Sequence, residues 1–476
     1  MLTLTNIPIQ QYMGDAPNKE RLSESEIANT FVINPAIRSR HIREEVYCQL
    51  IKQLTNNPDK ASVDKGFKLL YFLTSTVSPS YELTQQCEAF LKGNKHMLAK
   101  ICLDSLRRTK EYGVRKCRDG CRRYPPHPME HEAFSSSKQT VSIKILFPFG
   151  DQETFDIVPT IRVGSFRNQI ANKIGLAVAE DYGVFFGLKD RGSDLYSPSL
   201  AVLINARETE YFMDSLTHVE RFWLQSSDPD TQGASNSTPK SQLTVFFMKK
   251  LWVDAVPGDE ATADVKFHFP QEVPNYLRGY HKCKLEEAVR LSSLLYTAQF
   301  EQDMSILKNL EGNLSLVIPM TMHTEKSSSE WKSMLENSLQ ANKNLKSEAA
   351  KIEFLKTLST LPTYGSVFFE VKQRSVKTYP KHILLAVNKD GVIFLDASNK
   401  GILARYGYNK IPNWAYDENS FTLVVGESSN AIKIYMETNV GHNLDDIVMC
   451  YVAWMMNKHI KKKPSAAGVT VGESSC

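Results

Sequence analysis

Ile42 to Thr55 reads IREEVYCQLIKQLT, and how this stretch distributes its apolar residues sets the reading of the whole chain. At 100° per residue, Ile42, Val46, Tyr47, Leu50, Ile51 and Leu54 occupy one half of a helix, and Glu44, Glu45, Gln49 and Lys52 the other. This is a helix with a wide buried face. Arg43 projects from the middle of that face, where an unpaired guanidinium costs several kcal/mol. It therefore demands a partner. Asp15, in Tyr12-Met13-Gly14-Asp15, is the candidate carboxylate for a structural ion pair, since Glu44 points elsewhere.

Around this stretch the composition is that of an ordinary globular protein: 476 residues, 42% hydrophobic and 23% charged, too long for one core. No run of eighteen apolar residues occurs, and the opening MLTLTNIPIQQY lacks a basic region followed by an apolar core. The expectation is a cytoplasmic chain with neither membrane span nor signal peptide. Eight cysteines, at 48, 87, 102, 117, 121, 283, 450 and 476, are scattered and mostly lie in helical apolar patterns, as reduced buried thiols do.

Residues 1–138 hold 21 Lys and Arg against 15 Asp and Glu, so the basic excess is N-terminal. Helical periods continue there through Phe67, Leu70, Tyr71, Thr74 and Val77, and again through Leu98, Ile101, Cys102 and Leu106. From 92 to 123 the excess concentrates: Lys92, Lys95, Lys100, Arg107, Arg108, Lys110, Arg115, Lys116, Arg118, Arg122 and Arg123 oppose Asp104, Glu111 and Asp119. Such a patch either solvates a helical face or attracts a polyanion. Cys117, Cys121, His127 and His131 superficially resemble a zinc set, but the central gap is short and Pro125, Pro126 and Pro128 stiffen it, so a linker and no metal is expected.

The run Tyr12-Met13-Gly14-Asp15, then Arg43-Glu44-Glu45-Val46-Tyr47-Cys48-Gln49-Leu50 with Lys52-Gln53-Leu54-Thr55, resembles the signature of a myosin tail homology 4 (MyTH4) domain. The resemblance covers roughly the first quarter of the chain and implies an all-α bundle over 1–134. It also implies an association with microtubules, whose tubulin tails are acidic.

After the Pro- and Ser-rich stretch 125–138 the period changes to alternation at Val141, Ile143 and Ile145. A turn at Phe149-Gly150-Asp151-Gln152, a helix face at Val163, Phe166, Ile170 and Ile174 closed by Gly175, and a strand at Tyr182 to Leu188 open a ubiquitin-like lobe, placed at 135–241. Its polar end, Ser226 to Ser241, reads as a mobile loop. Residues 242–360 read as helical, with helices at Leu285 to Phe300, Ser329 to Leu339 and Ala349 to Leu358. Lys326-Ser-Ser-Ser-Glu-Trp331 supplies a capped start. Residues 361–463 then give seven short strands, a hairpin turn at Asp390-Gly391 and a closing helix with Leu444, Ile447, Val448, Tyr451, Val452 and Met455 on one face: a pleckstrin-homology-like β-sandwich.

This order, together with Phe269-Pro270-Gln271-Glu272, Leu277-Arg278-Gly279-Tyr280-His281 and Tyr364-Gly365-Ser366-Val367-Phe368-Phe369-Glu370, resembles a FERM domain. With the first block, the chain looks most like the MyTH4–FERM tail of an unconventional myosin of class VII, a multidomain α+β architecture.

No catalytic set has the required context: G-x-x-x-x-G-K-[ST], H-E-x-x-H and G-x-S-x-G are all absent, and His41, His96, His268, His281 and His382 stand isolated. A binding module without enzymatic activity or cofactor is expected. In a sandwich capped by one helix, the fifth strand, Lys410 to Ala415, leaves a backbone edge for an added strand. Ile411, Trp414, Leu444, Val448 and Met455 either line that groove or belong to the sandwich core. The short linker also suits a rigid junction between the first two blocks, and the resemblance implies that tandems of this kind hold adaptor peptides as one unit.

The tail 464–476 reads as disordered; Lys461 to Lys463 face acidic lipids or solvent, and Ser474-Ser475-Cys476 is a weak PDZ ligand. The expected partners are adaptor or cargo peptides, tubulin tails, the chain's own motor domain in an autoinhibited state and acidic lipids, with no nucleic acid among them. The expected location is the cytoskeleton of actin-rich protrusions. Two alternatives stay open: an ezrin-like membrane linker binding phosphoinositides near Lys144 and Arg162, and the tail of a kinesin or non-motor adaptor.

Overall fold

The structure, a computed structural model, describes residues 2–116, 122–188, 202–226, 243–301, 303, 305–427 and 430–462. The chain divides into two compact units, one of residues 1–145, 152–177 and 206–245, the other of 146–151, 178–205 and 246–476. Sequence features at Cys117, Arg118, Cys121, the 227–241 stretch and the 464–476 tail lie outside the described residues.

The first unit opens with α1 (Leu2–Met13), α2 (Glu24–Glu26), α3 (Asn34–Arg38), α4 (Arg40–Leu54), α5 (Lys60–Thr76), α6 (Tyr81–Gly93), α7 (Met97–Lys116) and α8 (Pro128–Ser135). A π-helix over Ile27–Ile33 precedes α3. Helix starts are capped as orphan N–H groups require: Ser39 accepts from the Ile42 N–H at 3.5 Å, and Asp59 from Ala61 and Ser62 at 2.8 and 3.3 Å. α4 buries Val46, Tyr47, Leu50 and Leu54 as its pattern demands. The centre of the bundle is nevertheless α5, in which every residue from Gly66 to Thr76 except Lys68 is buried. A Cβ on Gly66 would lie 2.6 Å from Leu54 Cδ2 and 2.9 Å from Met13 Cε, so three helices close on a missing side chain.

Arg43 is buried, as its place on α4 requires, but its partner is not Asp15. Its Nε donates to the Ala36 carbonyl at 3.0 Å, and its terminal nitrogens to Ser78 and Ile37 carbonyls at 3.4 Å each. Ala36 and Ile37 lie in the last turn of α3 and Ser78 just beyond α5, where helix ends leave carbonyls without intrahelical donors. The guanidinium meets those orphan acceptors and the partial negative charge of helix C-termini, so no carboxylate is needed. Asp15 instead accepts from Ser62 Oγ at 2.8 Å.

The same unit contains the paired strands β1 (Val141–Leu146) and β2 (Gln152–Ile157), and α9 (Val163–Ile174), which ends at Gly175 in the left-handed conformation (φ 74°). It also contains α10 (Phe212–Ser226), a helix not expected from the sequence, with Phe212, Met213, Leu216 and Val219 buried.

In the second unit β3 (Tyr182–Leu188) pairs antiparallel with β4 (Val202–Asn205), and β5 (Leu243–Lys249) lies on its other side. The helical block is α11 (Ala261–Ala263), a π-helix over Asp264–His268, α12 (Phe269–Leu277), α13 (Leu285–Phe300), α14 (Ser305–Lys308), α15 (Ser328–Ala341) and α16 (Ser347–Leu358). Ser327 and Glu330 form the expected capping box, and Trp331, one residue further, is fully buried. The sandwich comprises β6 (Val367–Gln373), β7 (His382–Asn388), β8 (Gly391–Asp396), β9 (Ile402–Tyr406), β10 (Asn413–Tyr416), β11 (Ser420–Val425) and β12 (Ile432–Glu437). Its order is β10-β11-β12-β6-β7-β8-β9, and α17 (Gly441–Lys462) caps it with Leu444, Ile447, Val448 and Tyr451 in the core. Gly391, at φ 139°, makes the β7–β8 turn; a Cβ there would fall 2.1 Å from the Tyr406 carbonyl.

Candidate partner-binding surfaces

β10 ends the seven-stranded sheet: one side pairs with β11 from Asn413↔Val424 to Tyr416↔Phe421, and among the described residues no strand pairs with the other. The strand begins later than the sequence suggests, because Lys410 belongs to a 3₁₀ turn at Tyr408–Lys410, where it is ion-paired with Glu427. Ile411, Leu444 and Val448 are at most 5% exposed and form core, not groove wall. Trp414 is half-buried, with Nε1 donating to Asp445 Oδ1 at 2.9 Å, while Ala415 is exposed and Met455 half-buried.

That hydrogen bond fixes which line of α17 runs beside β10. Asp445, Met449, Val452 and Met456 follow one another at +4, +7 and +11, on one stripe of the helix. Met449 and Met456 are 51% and 62% exposed, Tyr416 on β10 is 42% exposed, and Val452 is half-buried. The apolar wall of the groove is this stripe, about a quarter turn from the Leu444–Val448–Met455 row that the sequence suggests. Its trace in the sequence is two methionines where a solvent face should be polar.

A second surface joins α8 and the preceding loop to α10 within the first unit. Arg122, read from the sequence as part of the basic face, is wholly buried. Its Nη1 and Nη2 donate to the two oxygens of Glu130 at 2.8 Å each, and its Nε donates to Asp214 Oδ1 at 3.0 Å. The Arg123 N–H donates to Asp214 Oδ2 at 2.6 Å. One cation faces two carboxylates out of water, so a surplus negative charge is buried; burial pushes the Asp214 carboxyl above its usual range, against the pull of Arg122. Beside the cluster His127 Nε2 meets Glu220 Oε2 at 2.8 Å, Tyr124 Oη meets His218 Nδ1 at 3.0 Å, and the Arg221 guanidinium lies 4.6 Å over the Tyr124 ring. Asp214, His218, Glu220 and Arg221 all sit on α10, and the helical spacing of Phe212, Leu216 and Val219 was the overlooked signal.

His127 and His131 are engaged in this junction: His127 Nδ1 accepts from the Met129 N–H at 3.2 Å, and His131 Nε2 faces Asn29 Oδ1 at 3.1 Å. Burial lowers the His131 imidazole to about 4. Among the described residues no group of three His, Cys, Asp or Glu converges on a common point.

The rest of the basic face is on the surface but partly neutralised. Lys95, Lys100, Arg107 and Arg123 are exposed, and Arg108 and Lys110 half-buried. Glu88 stands among Lys92 (3.2 Å), Arg107 (3.8 Å) and Lys110 (4.0 Å), and Lys110 Nζ lies 5.4 Å over the Tyr81 ring. Arg115 and Lys116 occupy the end of α7.

A third feature, invisible in the sequence, is a cleft of about 740 Å³ in the second unit. Its lining includes the start of β6, the residues after β12, and Phe185, Leu203 and Phe246 from β3, β4 and β5. Lys249 and Lys250 reach it already paired, with Asp181 at 2.9 Å and Asp446 at 2.6 Å.

Three stretches of the chain match known domain families. Residues 30–133 match the MyTH4 domain, 260–369 the FERM central domain and 369–456 the PTB domain (IRS-1 type). Drosophila melanogaster Myosin-VIIa is 32% identical over 455 residues, covering 96% of this chain and 20% of that protein. Mus musculus Unconventional myosin-VIIb is 30% identical over 457 residues, covering 96% and 21%. The chain thus spans about a fifth of the length of these relatives. The human Myosin 7b C-terminal MyTH4-FERM domain, solved in complex with the harmonin-a PDZ3 domain, is 31% identical, covers 96% of this chain and 88% of that one, and superposes with a TM-score of 0.76. The Dictyostelium discoideum Myosin VII MF1 domain shares the fold at 18% identity and a TM-score of 0.72.

Proposed function

The chain belongs to the MyTH4–FERM tails of unconventional myosins, and from that premise we propose that it is a non-catalytic module that holds cargo proteins for an actin-based motor. The observation that carries this reading is the position of β10 at the end of its sheet, among the described residues, next to a helix that exposes Met449 and Met456. A strand edge supplies directional hydrogen bonds and a methionine wall adapts to irregular side chains, the combination that suits peptide capture. The human Myosin 7b tail in its solved complex binds a harmonin PDZ3 domain, and adaptor proteins of that kind are the partner class assigned here. Cargo on this module would keep the tail from folding back onto its own motor, in actin-rich protrusions. Contact of Lys95, Lys100, Arg107 and Arg123 with acidic tubulin tails is a subsidiary activity, sensitive to salt.

The membrane-linker alternative gains no support at Arg162, whose Nη1 donates to the Thr209 carbonyl at 2.7 Å and whose guanidinium lies 3.5 Å over the Tyr211 ring. The test is affinity capture of partners from cells by the wild-type chain and by Met449→Glu and Trp414→Ala. Partners lost from both variants, with unfolding temperatures unchanged, support the assignment. Retention of every partner by both variants overturns it.

A further inference from the structure

We infer that the cleft beside β6 takes an extended segment of a partner protein as an added strand, hydrogen-bonded to the main chain of Phe368 and Glu370, with alternating apolar and acidic side chains. The inference rests on the cargo-binding reading and names a second site for it, away from β10.

β6 pairs with β7 along its length, from Val367↔Val387 to Lys372↔His382, but β12 meets β6 only at Met436↔Gln373 and Glu437↔Lys372. Beyond Glu437 the chain departs: the Thr438 N–H donates to the Asn419 carbonyl, and Asn439 and Val440 join the lining of the cleft. The Gln373 N–H donates to Lys381 O at 2.8 Å, on the β7 side, whereas the Arg374 N–H donates to Tyr435 O at 3.0 Å, on the β12 side. Alternation along an antiparallel strand then directs the N–H and C=O of Phe368 and Glu370 away from β7, toward the side β12 has vacated. Five consecutive residues, Ser366 to Glu370, line the cleft, as a strand edge does and a strand face does not. An exposed edge inside a cavity is a template for one more strand.

The two faces of that strand would meet different chemistry. On the Phe368 and Glu370 face, the Tyr280 ring packs 4.8 Å from Phe368, with the Arg278 guanidinium 5.9 Å and Lys400 Nζ 5.4 Å over it. Glu370 is the opposing carboxylate there, accepting from Tyr280 Oη at 3.4 Å. Asp396 also acts on Lys400, which leaves Arg278 as the cation that meets an acidic side chain on the incoming segment. The cleft is also lined by Phe246, Met248 and Val440, and its Lys249 and Lys250 are already neutralised, so the alternate side chains are apolar.

The test uses the full chain and a fluorescent octapeptide alternating leucine with glutamate. Wild type should bind it, and N-methylation of every second peptide amide should weaken binding at least tenfold, as should exchange of glutamate for lysine. Glu370→Pro removes an edge N–H that β7 does not use and should weaken binding by a similar factor. Glu370→Ala keeps the N–H and should not. Should the proline variant unfold, slowed amide exchange at Phe368 and Glu370 in the wild-type complex decides the matter. No binding, equal binding of the methylated peptide, or binding abolished by Met449→Glu instead of Glu370→Pro overturns the inference. None of these touches the cargo reading, which stands or falls on partner capture through the β10 groove.

Discussion

Replacing Arg122 with methionine should cost far more stability than its single charge suggests. Truncation removes three hydrogen bonds of 2.8–3.0 Å and strands the carboxylates of Glu130 and Asp214, whose side chains are 1% and 8% exposed. Breaking a buried pair from one side costs about 3–5 kcal/mol, because the charge left behind has lost both water and partner. For a unit of roughly 200 residues this lowers the midpoint of thermal unfolding by roughly 6–20 °C. Arg107→Met is the control: its guanidinium is half exposed and 3.8 Å from Glu88, and such pairs contribute about 0–1 kcal/mol.

The loss in R122M should also depend on pH in a defined direction. Without the cation, burial leaves the Asp214 carboxyl binding its proton more tightly in the folded state than in the unfolded chain. Stability is then retained at pH values below the unfolded carboxylate pKa and lost as pH rises through the raised folded value. Urea denaturation monitored by tryptophan fluorescence should accordingly show a smaller deficit at acid pH than at pH 8. Adding Asp214→Asn to R122M should recover part of it. A deficit under about 1 kcal/mol, or one that grows toward acid, would falsify the account of the cluster.

Other expectations follow from the remaining surfaces. His131, with its imidazole depressed to about 4 by burial, binds its proton more weakly when folded, so it contributes stability above the unfolded pKa that is lost as pH falls from about 6.5 toward 4. His131→Asn should flatten that part of the stability profile, and an unchanged slope would count against it. Met449→Glu should weaken cargo binding at least tenfold in isothermal titration with little change in unfolding temperature, because the side chain is half exposed and outside the core. Charge reversal at Lys95, Lys100 and Arg107 should abolish co-sedimentation with microtubules at low salt; co-sedimentation that persists leaves the basic face a solvated surface. Gly391→Ala should unfold the sandwich at markedly lower denaturant, since its Cβ meets the Tyr406 carbonyl and φ is 139°.

Periodicity proved a good guide wherever one element buries one face. Leu285–Phe300 is a helix to the residue, and the seven strands fall close to where alternation and Asp390-Gly391 put them, because turn chemistry and a half-buried surface leave few alternatives. No helix is read from the sequence at Phe212–Ser226, although Phe212, Leu216 and Val219 recur there at helical spacing. With it went the carboxylate of Asp214, and so the reason Arg122 is buried.

Three arginines show why charge is harder to read than hydrophobicity. Arg43, Arg107 and Arg122 all lie in helix-rich, basic sequence, yet one caps helix-end carbonyls, one stands in solvent beside Glu88 and one is locked between two acids. A buried leucine is satisfied by any apolar neighbour, so its own helix face predicts its fate. A guanidinium is satisfied only by acceptors placed to suit its fork, and these come from residues 6 to 92 positions away. The same asymmetry governs the binding surfaces. Burial of Leu444 and Val448 follows from the pattern of α17 alone, whereas the groove wall at Met449 and Met456 is defined only once the Trp414–Asp445 hydrogen bond shows which side of the helix β10 flanks. The open edge of β6 is a further step removed, because it depends on where a different strand, β12, stops pairing. Cores are written in the spacing of one segment, and sites in the register between segments; charge-reversal and edge-blocking variants therefore probe this chain more sharply than truncations of its core.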